Sequence, residues 1–298
     1  MSTIANLARS IALRIPAVQR VVSQRDNLLH EMDELRSQVR KTPTTSVLDR
    51  YVSTQPRPGS ALMIFDGTWT SYIPGYGLGQ TQLFDDHRIR WLEEKCGGFK
   101  GKRVLELGPL EAGHTSMIAR AGAESILSIE SNTTAFLKCL VVKNLLGFNA
   151  NILLGDFRLY LENCTETFDF LLASGVLYHM TDPVKLLQGM ARVSRSIGIW
   201  THYYDSDVIL GKEHLSKKFS KEPKKERIGT REITSYRQSY LEALDWSGFC
   251  GGSEPISYWL TRDSLLGLLE DMGFRIETGQ EAKEHINGPC ITLYATKK

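Results

Sequence analysis

From residue 102 onward, short apolar segments alternate with helical segments, and this alternation constrains the fold more than any other feature. Strands are predicted at 103–107, 125–130, 151–155, 168–173, 196–204, 274–277 and 290–295, and helices at 114–121, 133–146, 183–193 and 262–272. A further helix is predicted just before this region, at 84–95. Strand–helix–strand units place their strands in parallel and cover both faces of the sheet with helices. The sequence therefore predicts an α/β fold built on a mostly parallel, doubly wound sheet of seven strands.

Three further regions flank or interrupt this core. Residues 1–42 form a predicted helix, and residues 43–95, rich in proline, glycine and aromatics, form a predicted cap on a domain spanning 96–298. The residues at 211–250, after the fifth strand, do not continue the alternation of strands and helices, and they predict a lid-like insertion. The helix has apolar residues at heptad-like spacing, which fits either a coiled coil joining two copies or an amphipathic helix on its own domain: Val18, Val21, Leu28, Met32, Leu35 and Val39.

Composition excludes several classes of protein. The apolar fraction is 42% and the charged fraction 23%, as in ordinary globular chains, and the formal net charge is only +2. No apolar run reaches the roughly 18 residues of a transmembrane helix, and residues 1–14 lack the apolar core of a signal peptide. The five scattered cysteines include no C-x-x-C pair. We therefore expect a cytoplasmic chain with no transmembrane segment, disulfide framework or metal site.

The turn after the first predicted strand runs from Gly108 to Thr115 and reads GPLEAGHT. Its glycines, Gly108 and Gly113, leave room for a ligand close to the backbone. The turn fails as a nucleoside triphosphate loop because His114 stands where lysine is needed and Glu111 would repel phosphate. It also lacks the middle glycine of a dinucleotide turn. His114 opens the next helix, where it either lies beside the ligand or caps the helix.

The turn and the acids at the strand ends suit a cofactor that has no phosphate. S-adenosylmethionine is such a cofactor, because it has a sulfonium, an ammonium and a carboxylate but no phosphate. Glu106, at the end of the first strand, suits the cationic part. Glu130 ends the second strand, where it can accept hydrogen bonds from ribose hydroxyls. Asp156 follows the third strand, where it can bind the adenine amino group while Phe157 packs against the base. All three acids lie at the strand ends where open α/β sheets bind ligands.

The same segments resemble a known superfamily. The motifs at 106–108, 129–130, 155–156 and 168–169 are similar to the successive motifs of class I S-adenosylmethionine-dependent methyltransferases, and 174–183 resembles the tRNA uridine-5-oxyacetic acid (carboxymethyl)transferase family. The resemblance implies a Rossmann-like fold, with S-adenosylmethionine as cofactor and S-adenosylhomocysteine as product. Motifs and resemblance together predict these cofactor-binding residues: Glu106, Gly108, Pro109, Gly113, His114, Glu130, Ser131, Asp156, Phe157, Ser174, Gly175 and Tyr178.

Five further side chains are candidates for chemistry or for acceptor binding. His179 follows the fourth strand and is either a general base or a structural, hydrogen-bonded histidine. His202 and Tyr203 end the fifth strand, where they either line the acceptor pocket or pack under a lid. Trp69 and Tyr72 could cover the pocket from the cap region or simply pack there.

The sequence leaves three functions open. The leading one is methyl transfer to a small molecule or glycan, at oxygen. The second is carboxymethylation or methylation of a tRNA wobble uridine, and the third is a catalytically silent scaffold that forms a homodimer through residues 18–39. The basic run at 212–231 could bind RNA or anionic lipid, but interleaved acids favour a solvated insertion, so RNA is not the favoured partner.

Overall fold

The computed structural model describes residues 51–245, 251–252 and 254–297, together with Gln24. The predicted coiled coil, and with it the predicted homodimer, therefore falls outside the described residues. The segment Pro56–Lys298 forms one compact unit. Within the described ranges, no helix combines the length and the apolar character that a membrane crossing requires.

Two sheets organise this unit. Its strands are β1 (Arg103–Leu107), β2 (Ser125–Glu130), β3 (Asn151–Leu154), β4 (Phe170–Ser174), β5 (Ser196–His202), β6 (Lys224–Ile228), β7 (Arg231–Ser239), β8 (Ile256–Leu260), β9 (Phe274–Ala282) and β10 (Cys290–Lys297). Seven of them form the central sheet in the order β3-β2-β1-β4-β5-β10-β9, and β10 alone runs antiparallel to both of its neighbours. This confirms the predicted mostly parallel, seven-stranded Rossmann-like sheet.

Helices cover both faces of the central sheet. The helices of the described residues are α1 (His87–Lys95), α2 (Gly113–Arg120), α3 (Thr133–Leu146), α4 (Phe157–Asn163), α5 (Pro183–Val193), α6 (Ser206–Leu210), α7 (Glu213–Ser216) and α8 (Arg262–Asp271), with 3-10 turns at Pro58–Phe65, Leu177–His179 and Leu241–Asp245. The short helices α6 and α7 pack in a separate cluster with Tyr204 and Trp259. Side chains from successive positions of one strand enter different cores: Val104 packs with α1 and α2, whereas Leu105 packs with α5 and α8. Alternation along buried strands thus produces the two apolar layers of a doubly wound fold.

Local hydrogen bonds shift two predicted boundaries. Helix α1 begins at His87 and not at the predicted residue 84, because the Asp86 carboxylate accepts the Arg88 N–H at 2.9 Å and caps the helix. Strand β5 ends at His202, two residues early, because the Tyr203 N–H bonds the Pro289 carbonyl at 3.1 Å.

The region before the core is an ordered cap in the described part. Leu62, Phe65, Trp69 and Ile73 form a buried cluster with Val142 of α3. The Trp69 ring meets Phe65 edge-on at 5.9 Å between centroids, and its Nε1–H donates to the Leu62 carbonyl at 3.0 Å. Trp69 therefore packs inside the cap region, which is one of the two alternatives given above for this side chain.

The predicted insertion at 211–250 contains regular structure that the sequence analysis did not anticipate. Strands β6 and β7 form a hairpin, and β8 completes an antiparallel three-stranded sheet. Because β8 spans Ile256–Leu260, the added region extends past the predicted limit at residue 250. Many of its charges are paired across short distances, including Lys225 with Glu232 at 2.8 Å and Arg231 with Asp271 at 2.6 Å.

Candidate active site

A cavity of about 540 Å³ opens at the carboxyl ends of β1 to β4, the edge at which parallel α/β sheets bind ligands. Its wall brings together many of the predicted site residues: Gly108, Pro109, His114, Glu130, Ser131, Asp156, Phe157, Ser174, Gly175, Tyr178 and His179. It also includes residues that the sequence analysis did not single out, among them Thr70, Arg88, Leu110, Trp200 and Glu254. The cavity is therefore the candidate active site.

The turn after β1 has an unusual backbone. Gly108 has φ +66°, and a Cβ there would approach the Val176 side chain to 3.0 Å. Leu110 and Ala112 also adopt left-handed conformations, with φ 55° and 59°, although neither is a glycine. Left-handed non-glycine residues are held only where surroundings determine them, and they concentrate at functional sites. Here the turn directs the Leu110 N–H at the Glu130 carboxylate, Oε2 lying 3.1 Å away.

Glu130 is the best-defined acid of the cavity. Its Oε1 accepts the Asn132 N–H at 2.8 Å, which fixes the carboxylate at the end of β2. Burial raises the pKa of this carboxyl, and the backbone N–H groups around it oppose that shift. Two carboxylate oxygens offer about four lone-pair positions, so the backbone N–H groups of Leu110, Ser131 and Asn132 still leave capacity for a ligand. The arrangement suits an acceptor of hydroxyl hydrogen bonds.

Asp156 and Phe157 lie together at the start of α4, with both residues in the cavity wall. Asp156 caps this helix by accepting the Arg158 N–H at 2.8 Å, and it also pairs with the Arg158 guanidinium. Hydrogen bonding to Arg158 lowers the pKa of Asp156, which keeps the carboxylate charged. The acid and the adjoining apolar ring therefore form one composite surface suited to a heteroaromatic base.

Two predicted cofactor residues do not line this cavity. Glu106 is buried, and it accepts hydrogen bonds from the hydroxyls of Thr115 and of Ser128, the latter at 2.8 Å. Gly113 is required by packing, because a Cβ at that position would lie 2.7 Å from the Leu83 carbonyl oxygen. Neither residue is in the cavity wall, and both support the turn from behind, so direct cofactor contact by them stays a prediction.

His114 lines the cavity and does not cap a helix. The N-cap of α2 is Ala112, which makes no side-chain cap, so the capping interpretation of His114 is wrong. Its Nε2 lies 2.9 Å from Asp86 Oδ2. The same carboxylate binds the Arg88 guanidinium, which stacks 4.4 Å from the Trp200 ring centroid. A chain of charge-assisted contacts thus runs from α2 to β5 along the wall.

His179 has a defined tautomer. Its Nδ1 lies 2.7 Å from the Tyr240 hydroxyl oxygen, and the Tyr240 O–H donates to the Gly251 carbonyl at 3.0 Å. Since that hydroxyl has one proton and gives it to Gly251, His179 Nδ1 must donate. Nε2 is then the ring nitrogen that can accept a proton. Burial lowers the pKa of His179 to about 3, so the ring is neutral at physiological pH.

The four residues predicted to contact the acceptor all lie outside the cavity wall. Trp69 belongs to the buried cap cluster, and Tyr72 is 40% exposed on the cap surface. Tyr203 is buried and donates its hydroxyl proton to Glu281 at 2.5 Å. His202 stacks on Trp259, with ring centroids 5.0 Å apart. Trp69, Tyr203 and His202 pack against neighbouring side chains, and contact of any of the four with an acceptor stays a prediction.

A second cavity of about 380 Å³ adjoins the first. Thr81, Leu83, Arg88 and Trp200 belong to both walls. The rest of its lining is mostly polar and comes from the segment before α1, the start of α1, β9, the loop after β9 and the start of β10: Gln82, Asp85, Asp86, His87, Gln280, Ala282, His285 and Cys290. The second cavity offers hydrogen-bond donors and acceptors next to the first cavity. The strand pattern did not predict it, because its residues come from distant parts of the chain.

Comparison with known proteins agrees with this geometry. A family model described as a methyltransferase domain matches residues 105–201. The N-terminal domain of EvdMO1, solved in the presence of SAH and D-fucose, superimposes with TM-score 0.57 at 25% identity, covering 80% of this chain and 94% of that domain. The same domain with SAH bound gives TM-score 0.58 at 24% identity, covering 83% and 99%.

One curated relative is a tRNA U34 carboxymethyltransferase from Psychrobacter arcticus. It is 25% identical over 116 residues, which make up 36% of this chain. The match spans about a third of that relative's length, 33%. The likeness is therefore confined to part of each protein.

Proposed function

Because this chain is a class I S-adenosylmethionine-dependent methyltransferase, we propose that it transfers the methyl group to a hydroxyl oxygen of a small-molecule or glycan acceptor. The first cavity is the cofactor site in this proposal, and the second is the acceptor site. The observation that carries the choice of oxygen is His179, a neutral imidazole in the cavity wall whose tautomer leaves Nε2 to take a proton. A hydroxyl nucleophile must lose a proton during transfer, and the neutral Nε2 would take it as the positive charge leaves the sulfonium; burial makes this imidazole a weaker base than a free one, and the loss of the sulfonium charge offsets part of that cost.

S-adenosylmethionine supplies an electrophilic methyl carbon on a sulfonium. In the first cavity, Glu130 would accept hydrogen bonds from the ribose hydroxyls, and Asp156 with Phe157 would hold the adenine. Arg88, at the boundary of the two cavities, lies where it can contact the methionine carboxylate or the acceptor. These contacts align the reacting atoms, and alignment with exclusion of water supplies much of the rate in such displacements.

The proton transfer involves residues of this chain. As the acceptor oxygen forms its bond to the methyl carbon, its proton moves to His179 Nε2. The resulting imidazolium keeps its Nδ1–H bond to the Tyr240 oxygen, and the Tyr240 O–H keeps its bond to Gly251. S-adenosylmethionine would give up its methyl carbon and keep the carbon–sulfur electron pair, so the product would be the thioether S-adenosylhomocysteine. Tyr240 acts as a positioning residue in this scheme.

The acceptor class rests on the second cavity. Side chains such as Gln82 and Gln280 are typical partners for hydroxyl groups, and a carbohydrate offers several. The similar EvdMO1 domain was solved with D-fucose present, which supports a deoxyhexose or related sugar as the first acceptor to try.

The test uses labelled S-adenosylmethionine with monosaccharides and nucleotide sugars, and mass spectrometry locates the methyl group. We expect an O-methylated sugar from the wild type. His179→Gln should lower kcat about 10²- to 10⁴-fold, the usual contribution of general-base catalysis, with S-adenosylhomocysteine affinity unchanged. Tyr240→Phe should lower kcat less and leave KM nearly unchanged. Methylation at nitrogen or carbon, or equal turnover by His179→Gln, would contradict the proposal.

A second candidate is modification of a tRNA wobble uridine, motivated by residues 174–183 and by the partial likeness to the tRNA U34 carboxymethyltransferase. The basic run favours it less, because several of its lysines and arginines are paired with acids, as Lys225 is with Glu232. Binding to tRNA should weaken steeply as salt rises if RNA is the acceptor. A gel shift with total tRNA at low ionic strength separates the two candidates, and we expect no shift.

A further inference from the structure

Two ligating side chains face each other across a strand pair at the end of the central sheet. His202 is the last residue of β5 and Cys290 the first of β10, and the antiparallel register pairs them directly. Directly opposed residues have Cβ atoms about 5 Å apart on the same face of the sheet. His285, in the loop between β9 and β10, joins them. One ligand atom from each of the three residues lies within 4.8 Å of the others.

We propose that His202, His285 and Cys290 bind a divalent transition metal, with zinc as the best match. Two imidazoles and a thiolate suit zinc, and three protein ligands leave a fourth tetrahedral position open. His285 and Cys290 also line the second cavity, so that position faces the proposed acceptor site. The sequence predicted no metal site because these residues lie far apart along the chain and follow no metal-binding spacing.

His202 is oriented as metal-bound histidines are. Its Nδ1–H donates to the Gly288 carbonyl at 2.9 Å and lies 3.2 Å from the Pro289 carbonyl. Carbonyl oxygens only accept, so Nδ1 carries the proton and Nε2 carries the lone pair. A backbone carbonyl that holds one ring nitrogen is the usual support for a histidine whose other nitrogen binds metal. The ring is also held by stacking on Trp259, at 13° between planes.

Cys290 is buried at the start of β10. A bound metal ion would take the place of its thiol proton, because the thiolate is the form that binds metal. His285 adapts most easily, since it lies on a partly exposed loop. Its Nδ1 accepts a hydrogen bond from the Asn287 N–H at 3.1 Å, and a bond to a metal ion can replace this hydrogen bond.

Arg88 and Lys212 are cations near this cluster that would oppose a metal ion, and Lys212 is paired with Glu284 at 2.9 Å. Arg88 lies on the wall of the second cavity. The Asp86 carboxylate binds its guanidinium through both oxygens, each 3.0 Å from Nε. The pair is close to neutral as a unit, so the repulsion on a nearby divalent ion is largely offset. A bound zinc could then hold an oxygen of the acceptor, and this last role rests on the proposed function.

The test measures metal binding directly in the full chain, without any substrate. After removal of metal by chelation, titration with Co²⁺ should give the visible bands of a tetrahedral ion and a near-ultraviolet thiolate-to-cobalt band, each saturating at one equivalent. Zn²⁺ should displace the cobalt. Cys290→Ser should abolish the thiolate band and weaken Zn²⁺ affinity by more than about 100-fold, since loss of even a supporting residue costs 10- to 100-fold.

Cys164→Ser is the matched control, because Cys164 is a partly exposed thiol outside the cluster. It should bind cobalt as the wild type does. His285→Ala changes an adaptable loop residue and should also weaken Zn²⁺ affinity. Affinity for S-adenosylhomocysteine, measured on every variant, verifies that each one is folded. Absence of the cobalt bands in the wild type, or bands unchanged in Cys290→Ser, would overturn the metal site. Failure of sugar methylation with the bands present would overturn only the acceptor assignment.

Discussion

Glu111 and Lys138 form a buried ion pair, with Oε1 and Nζ 2.8 Å apart, that joins the glycine turn to α3. Glu111 also accepts the N–H groups of Thr70 at 3.1 Å and Ser71 at 2.7 Å. Lys138 in turn donates to the Thr68 carbonyl. One carboxylate thus connects the turn at the candidate active site, the helix α3 and the cap segment that contains Thr70 and Ser71.

Glu111→Ala should destabilise the protein strongly. It leaves the Lys138 ammonium buried without a partner, and breaking a buried ion pair in this way costs about 3–5 kcal/mol. Urea unfolding measures the loss, with Glu124→Ala as the control because Glu124 is exposed. The double variant Glu111→Gln with Lys138→Met should recover much of the stability. A loss below about 1 kcal/mol in Glu111→Ala would mean that the pair is unimportant.

Gly108→Ala should weaken cofactor binding as well as stability. The backbone at φ +66° costs a non-glycine residue about 1–2 kcal/mol, and the new Cβ would press on Val176. Gly122→Ala is a matched control, since Gly122 also has a positive φ, 84°, but its nearest neighbour would be 3.6 Å away and it lies outside the cavity. Both variants should lose stability, and only Gly108→Ala should bind S-adenosylhomocysteine more weakly. Equal affinities would count against this turn as a binding element.

Because the pKa of His179 is lowered in the folded protein, we expect the protein to lose stability in acid. Its folded value of about 3 lies below the ordinary 6.5, so the unfolded chain binds one more proton between these pH values. The free energy of unfolding should therefore fall as pH drops from 6.5 toward 3, by a few kcal/mol from this group alone. His179→Gln removes the contribution, so acid should destabilise wild type more than the variant. His214→Gln, at an exposed histidine, serves as control, and parallel curves for wild type and His179→Gln would refute the assignment.

The parts of the fold that repeat along the chain could be predicted from sequence. Strand and helix periodicity was sufficient to predict the sheet and its doubly wound packing. The acids Glu130 and Asp156 pointed to the sheet edge at which the cavity opens. These are consequences of local patterning, because strand ends of parallel units meet at the same edge.

Contacts between distant segments could not be predicted in this way. The sequence gives no reason for an acid such as Glu111 in a glycine turn. Its role depends on contacts with the cap, some 40 residues earlier in the chain. Glu106 resembles a ligand-binding acid in sequence, yet the hydroxyls of Thr115 and Ser128 take up its carboxylate. His179 needed Tyr240, 61 residues away, before its tautomer could be assigned. Each case depends on which side chains tertiary packing brings together.

Titration calorimetry with S-adenosylhomocysteine, on the wild type and on Glu130→Ala, tests the central claim most directly. The account predicts one site per chain in the wild type. In Glu130→Ala, affinity should fall at least about tenfold, since hydrogen bonds to charged groups contribute about 1.5–3 kcal/mol. Glu124→Ala should bind as the wild type does. No heat of binding at millimolar cofactor, or equal affinity in Glu130→Ala, would contradict the assignment of this cavity.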